Sequence, residues 1–195
     1  MEEVRSFIAI ELPKEIKILL EELENHLKSG RYRAKWVAPD SIHLTLKFLG
    51  GISTDSISNI TQVIEKAAVG IAPFRLAVSG LGVFPNPGRV QVVWAGVTGE
   101  LDKLVQIQKR IDSGLESLGF VPESRPFTAH LTIARMRDEA SPAERQTIGQ
   151  LVSTTSFEGG EFEVESVSLM RSELRREGPI YSRLASIALS ASPTQ

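Results

Sequence analysis

The sequence predicts an α+β fold with an internal pseudo-two-fold repeat. Three observations carry this. The tetrapeptides His43-Leu44-Thr45-Leu46 and His130-Leu131-Thr132-Ile133 are nearly the same and lie roughly half a chain apart. The order strand, helix, His-x-Thr strand, helix, strand pair recurs in each half. No linker rich in Ser, Gly or Pro separates the halves, so the 195 residues read as one two-lobed domain, 1–195.

"SFIAIEL" (6–12) is β-branched and apolar, the pattern of a buried strand. Pro13 opens a helix to about Ser29, with Ile16, Leu19, Leu20, Leu23 and Leu27 at helical spacing and Gly30 as its stop. "WVAPDSIHLTLKFLG" turns at Pro39-Asp40 and enters a strand expected to end at Gly50-Gly51. Ser53 to about Val69 reads as a second helix. "FRLAVSGLGVF" (74–84) and "RVQVVWAGV" (89–97) read as strands joined by the turn "PNPG".

The second half repeats the order. Leu101 to Leu118 is a helix ended by Gly119. "FTAHLTIARM" (127–136) is a strand. Ser141-Pro142-Ala143-Glu144 is a helix start, with a serine cap, an early proline and a glutamate three residues after the cap. "FEVESVSLMRSEL" (162–174) and "YSRLASIAL" (181–189) are strands around the turn "RREGP".

Composition bounds the function. Apolar residues make up 42% and charged residues 24%, the balance of an ordinary globular protein. The net charge of −2 argues against coating long duplexes, so nucleic-acid contact is expected to be local, at a strand end. "RYRAK" (31–35), "RMR" (135–137) and "RSELRR" (171–176) are basic clusters, read equally well as solvated surface. There is no cysteine, which excludes disulfides and thiolate metal sites and suits a reducing cytoplasm. No apolar run reaches the length of a membrane span, and "MEEVRSFIAIEL" lacks the basic start of a signal peptide. No element demands a protein partner, so a monomer is expected.

Strand alternation turns each tetrapeptide into chemistry. His43, Thr45 and Lys47 share one face, with Ile42, Leu44, Leu46 and Phe48 opposite. His130 shares its face with Thr128 and Thr132. Equivalent strands of a pseudo-symmetric fold can meet across a cleft, where two histidines and two hydroxyls converge. Histidine titrates near ~6.5, so one copy can serve as base and the other as acid. Threonine hydroxyls suit phosphate oxygens. The set describes metal-free phosphoester chemistry.

Competing readings are weaker. Zinc wants three or four ligands, and the third histidine, His26, reads as surface on a Glu-rich helix. No carboxylate accompanies the His-x-Thr strands. Neither a Gly-x-Ser-x-Gly elbow, a Walker loop nor a dinucleotide fingerprint is present.

"HLTL" and "HLTI" resemble the paired His-x-Thr-x signatures of the two-histidine phosphoesterase superfamily. "WVAPDSIHLTLKFLG" and "PFTAHLTIAR" more narrowly resemble its RNA 2′,3′-cyclic phosphodiesterase branch, historically called 2′-5′ RNA ligase or LigT. The resemblance runs from "FIAIELP" to "YSRLASIAL". It implies two lobes, each an antiparallel sheet with helices outside, around a central cleft carrying both His-x-Thr-x strands. It also implies cofactor-free and metal-free opening of a terminal RNA 2′,3′-cyclic phosphate to a 2′-phosphate, with reversible 2′-5′ joining. His43 is then the proton donor and His130 the proton acceptor. Thr45, Thr132 and Arg135 then bind the phosphate. The remaining alternatives are a non-catalytic module that holds phosphorylated RNA ends, and a phosphodiesterase for another cyclic nucleotide.

Several flanking residues have two readings. Strict alternation sends Arg135 away from His130, unless a bulge at Ala134 turns it back. Phe48 suits the core by alternation, or else stacks on a terminal base, and Phe127 stands with it as a candidate substrate contact. Lys47 steers phosphate or is a solvated strand end. Trp36, with Tyr32, Arg33 and Lys35, forms a loop that meets RNA or packs at a loop base.

Overall fold

The structure is a computed structural model that describes residues 3–176 and 178–191. The chain begins with β1 (Glu3–Glu11) and α1 (Lys14–Lys28), followed by a three-residue strand, β2 (Ala34–Trp36). A 3-10 turn (Pro39–Ser41) leads into β3 (His43–Ser53), and a second (Thr54–Ser56) into α2 (Ile57–Ala68). Next come β4 (Phe74–Phe84), β5 (Val92–Gly99), α3 (Leu101–Glu116) and β6 (His130–Met136). The chain closes with α4 (Pro142–Thr154), β7 (Glu158–Val164), β8 (Ser166–Arg175) and β9 (Gly178–Ala188). Glu177, in the expected "RREGP" turn, lies outside the described residues.

The expected elements are present, with three changes. The segment Trp36 occupies is a strand rather than a loop, and it pairs with β6. The stretch expected as one strand around 162–174 is two, β7 and β8. β3 also continues through Gly50-Gly51. Gly50 adopts φ 73°, and the pairing with β1 shifts register there, skipping Leu49, so Leu49 and Gly50 form a bulge inside a strand rather than its end. The expected start of α4 is borne out as a full capping box between Ser141 and Glu144.

Two antiparallel sheets result, with strand orders β3-β1-β8-β9 and β2-β6-β5-β4-β7. In each, the His-x-Thr strand lies beside the strand that opens its repeat, β1 beside β3 and β5 beside β6. The sequence halves nevertheless do not coincide with the sheets. β4, from the first half, sits in the second sheet, and the terminal hairpin β8-β9 completes the first.

Helices cross as well: α1, leaving β1, packs against β7 and α4, and α3, leaving β5, packs against β3 and α2. One continuous buried cluster therefore draws on both sheets and all four helices, from Ile8, Leu44 and Ile60 to Leu104, Leu131 and Ile148. Burial of so much apolar surface is the main force holding the two sheets in register with each other. β3 and β6, in different sheets, approach within 8 Å between Cα atoms. No helix among the described residues is long and apolar enough to cross a membrane.

Candidate active site

β3 and β6 repeat the same departure from alternation. In β3, Leu46 and Lys47 are consecutive buried residues, and the pairing with β1 shifts between Ile8 and Ala9. In β6, Ile133 and Ala134 are consecutive buried residues, and the pairing with β5 shifts between Val93 and Trp94. A bulge adds one residue and reverses the facing of the residues beyond it. Phe48 thus returns to the side of His43 and Thr45, and Arg135 to the side of His130 and Thr132.

This corrects two expectations. Phe48 is not in the core; it is 69% exposed. Lys47 does not share the face of His43. It turns inward, where Nζ forms an ion pair with Asp112 of α3 at 2.5 Å and donates to the carbonyl of Val121 at 2.8 Å. Arg135 is exposed and has no ion-pair partner among the described residues.

Each histidine is anchored by the same local device. Nδ1 of His43 lies 2.8 Å from the carbonyl oxygen of Ser41, and Nδ1 of His130 lies 2.7 Å from that of Thr128. A carbonyl only accepts, so Nδ1 carries the hydrogen in both rings. Nε2 is then the nitrogen left to gain or lose a proton. Among the described residues, neither the Thr45 nor the Thr132 hydroxyl has a hydrogen-bond partner.

Aromatic walls surround both rings, and pattern reading missed them. Phe7 of β1 stacks on His43 at 4.4 Å, and Tyr181 of β9 meets its edge at 5.1 Å. Phe84 of β4 and Trp94 of β5 stand at 5.3 and 6.4 Å from His130. Trp94 needs the glycine beside it: a Cβ on Gly82 would collide with the indole. These residues come from strands far apart in the chain, so no local spacing marks them.

Burial is the main influence on His43 and holds its imidazole below the ordinary range, against a smaller upward pull from the Ser41 carbonyl. Glu11 adds a further upward pull. It is the residue directly across from His43 in the β1–β3 pairing, so a carboxylate does accompany this strand, contrary to the sequence reading. Burial pushes the Glu11 carboxyl up, but hydrogen bonds from Arg183 Nε at 2.8 Å and Ser168 Oγ at 2.7 Å outweigh it and keep it ionised. Burial raises the Tyr181 phenol, while the charges of Arg5 and Arg135 pull it down. Arg135 of the second sheet and the tyrosine touching His43 of the first therefore share one electrostatic environment.

The other expected contacts separate. Phe127 is half-buried in the segment before β6 and packs against the main core. Trp36 pairs across from Ala134, with Lys28 Nζ 5.5 Å from its ring. His26 is exposed on α1, as expected. Among the described residues, no three His, Cys, Asp or Glu side chains gather in a way that would hold a metal ion.

Comparison with known proteins finds relatives over most of the chain. The family profile described as the 2′-5′ RNA ligase superfamily matches residues 12–176. A Methanothermobacter thermautotrophicus protein named RNA 2′,3′-cyclic phosphodiesterase is 34% identical over 180 residues, covering 92% of this chain and 95% of the relative. An Aeropyrum pernix protein of the same name is 35% identical over 159 residues, covering 81% and 88%. Among solved structures, a Thermus thermophilus protein superposes with a TM-score of 0.79 at 30% identity, over 96% of this chain and 98% of its own. E. coli LigT complexed with 3′-AMP gives 0.75 at 27% identity, over 97% and 99%.

Proposed function

The chain belongs to the 2′-5′ RNA ligase superfamily, and from that membership together with the paired histidines we infer that it hydrolyses the terminal 2′,3′-cyclic phosphate of RNA. The observation that carries this reading is the matched anchoring of the histidines. Two imidazoles each have Nδ1 tied to the carbonyl two residues before it, and each shares its strand with a threonine hydroxyl that has no hydrogen-bond partner among the described residues.

In the reaction, Nε2 of His130 removes a proton from water, and the hydroxide attacks phosphorus. The bond from phosphorus to the 3′ oxygen breaks. Nε2 of protonated His43 donates its proton to that oxygen, leaving a 3′-hydroxyl and a 2′-phosphomonoester. Acid and base acting together contribute roughly 10²–10⁴-fold each in such transfers. Thr45 and Thr132 donate hydrogen bonds to the non-bridging oxygens. Arg135 meets the growing negative charge with a planar, permanently charged fork. Phe48 offers an exposed ring face to the terminal base. With a 5′-hydroxyl in place of water as the nucleophile, the same steps join the cyclic end to it as a 2′-5′ linkage: the bond to the 3′ oxygen breaks and that oxygen takes the proton from His43. Water at bulk concentration favours hydrolysis.

His43 has a conflict to resolve, because a buried imidazole resists protonation and an acid must be protonated. The substrate phosphate is an anion, and its arrival beside the ring favours the charged form. Glu11 supports it from across the strand pair.

The test is a short RNA ending in a 2′,3′-cyclic phosphate, incubated with the protein in EDTA. A 2′-phosphate product is expected. A 3′-phosphate product would reverse the assigned leaving oxygen, and no turnover would remove the reading.

A further inference from the structure

We propose that a basic groove beyond Arg135 binds a phosphodiester upstream of the reacting RNA end, so that the substrate is an oligonucleotide rather than a mononucleotide. This rests on the phosphodiesterase reading and extends it along the strand.

The groove is a concavity lined by Arg89, Gln91, Val92, Arg135, Asp138 and Arg145. It continues the cleft face. Val92 lies across from Arg135, as Trp94 does from Thr132 and Gly96 from His130, so one row runs from the histidine to the groove. His130 and Arg135 lie across from Gly96 and Val92, four residues apart on β5, so the bulged strand separates them by about 13 Å at the usual strand rise. Arg89 and Gln91 precede Val92 and lie farther still from His130. The long side chain of Arg135 spans part of that row toward the reacting phosphate, but the same phosphate cannot also touch Arg89. An anion in the groove is a second one, and an RNA chain carries its next phosphates in series.

The charge suits it. Three arginines line the groove against one carboxylate, Asp138, although the whole chain carries −2. Arg145 is held in place by carbonyls alone: Nη1 donates to Val90 at 2.7 Å, Nη2 to Arg137 at 2.8 Å and Nε to Ala140 at 3.3 Å. These bonds position the guanidinium without neutralising it. Arg89 and Arg135 are exposed, with no ion pair among the described residues. Uncompensated cations along a groove are the electrostatic footprint of a nucleic-acid backbone.

The proposal also gives the strand a direction. Position 48 in the first repeat carries a phenyl ring, and the matching position 135 in the second carries a guanidinium. The terminal base lies toward the first sheet and the upstream backbone toward the second.

The experiment compares kcat/KM on three substrates: a 2′,3′-cyclic mononucleotide, the same nucleotide with a 5′-phosphate, and a short RNA ending in the same cyclic nucleotide. The wild-type protein is expected to favour the RNA, with an advantage that shrinks as salt rises. Arg89→Ala should cut that advantage roughly three- to ten-fold, and Arg89→Glu further, while the rate on the cyclic mononucleotide stays the same. That unchanged rate also shows that the variants fold. Equal losses on all substrates, or an RNA advantage indifferent to Arg89, would overturn the groove. So would a full advantage from the 5′-phosphate alone, which would make the ligand a terminal monophosphate. Absence of turnover on all three would instead remove the phosphodiesterase reading and the groove with it.

Discussion

Phe48 and Arg135 occupy the same position in two copies of one bulged strand. Each comes directly after a pair of consecutive buried residues, and each is exposed three places after its threonine. The repeat has kept the backbone and changed the side chain, so one copy offers an aromatic face and the other a cation. Phe48→Ala is expected to raise KM for nucleotide substrates with little change in stability, since the ring is 69% exposed. Base stacking of about 1–3 kcal/mol sets the scale. Arg135→Ala should instead lower kcat/KM for every base equally and flatten its salt dependence. Steady-state kinetics on all four cyclic nucleotides separates the two.

Replacing either histidine should remove turnover and leave the fold intact. His43→Ala and His130→Ala are each expected to lose at least about 10²-fold in kcat, with unchanged circular dichroism. Full activity in either variant would defeat the acid–base assignment.

The pH profile reports which histidine is the acid. As proton donor, His43 must be charged, so activity falls as pH rises through its pKa. Burial holds that pKa below the ordinary imidazole range in the free protein, so the alkaline limb of kcat/KM should lie correspondingly low. Tyr181→Ala admits water to the ring edge now covered at 5.1 Å. Hydration favours the charged form, so the limb should move to higher pH. A limb that stays where it was would assign it to another group.

Lys47 is a stability residue. Its ammonium is 8% exposed and joins β3 to α3 through Asp112. Lys47→Met leaves that carboxylate half-satisfied, its other bond coming from the Glu123 amide. A loss of about 2–4 kcal/mol is expected in urea unfolding, with kcat preserved in the folded fraction. A kcat loss larger than the stability loss explains would return Lys47 to the phosphate.

Gly82 tests the wall around His130. Gly82→Ala puts a methyl where the Trp94 indole lies. The ring must move, and its neighbour His130 moves with it. Activity should fall roughly ten- to a hundred-fold, with a shifted tryptophan emission spectrum and a retained fold.

The chemistry was legible in one dimension because it is written locally. His43 with Thr45, and His130 with Thr132, each lie two residues apart, and strand alternation alone sets both on one face. Helix starts and stops such as Ser141-Pro142 and Gly119 are equally local. Alternation also misled within three residues, at Lys47 and Phe48. A bulge is a property of a strand pair, and the partner, β1 for β3, lies more than thirty residues away.

Whatever depends on partners distant in sequence was decided by tertiary structure. Hydrophobic burial selects a topology that sends β4 into the second sheet and the β8-β9 hairpin into the first. That exchange brings Tyr181 to the edge of His43, sets Phe84 beside His130 and leaves Glu11 opposite His43. The sequence names the two imidazoles. The packing of the sheets sets how much water reaches each of them, and burial alone already gives His43 a depressed pKa.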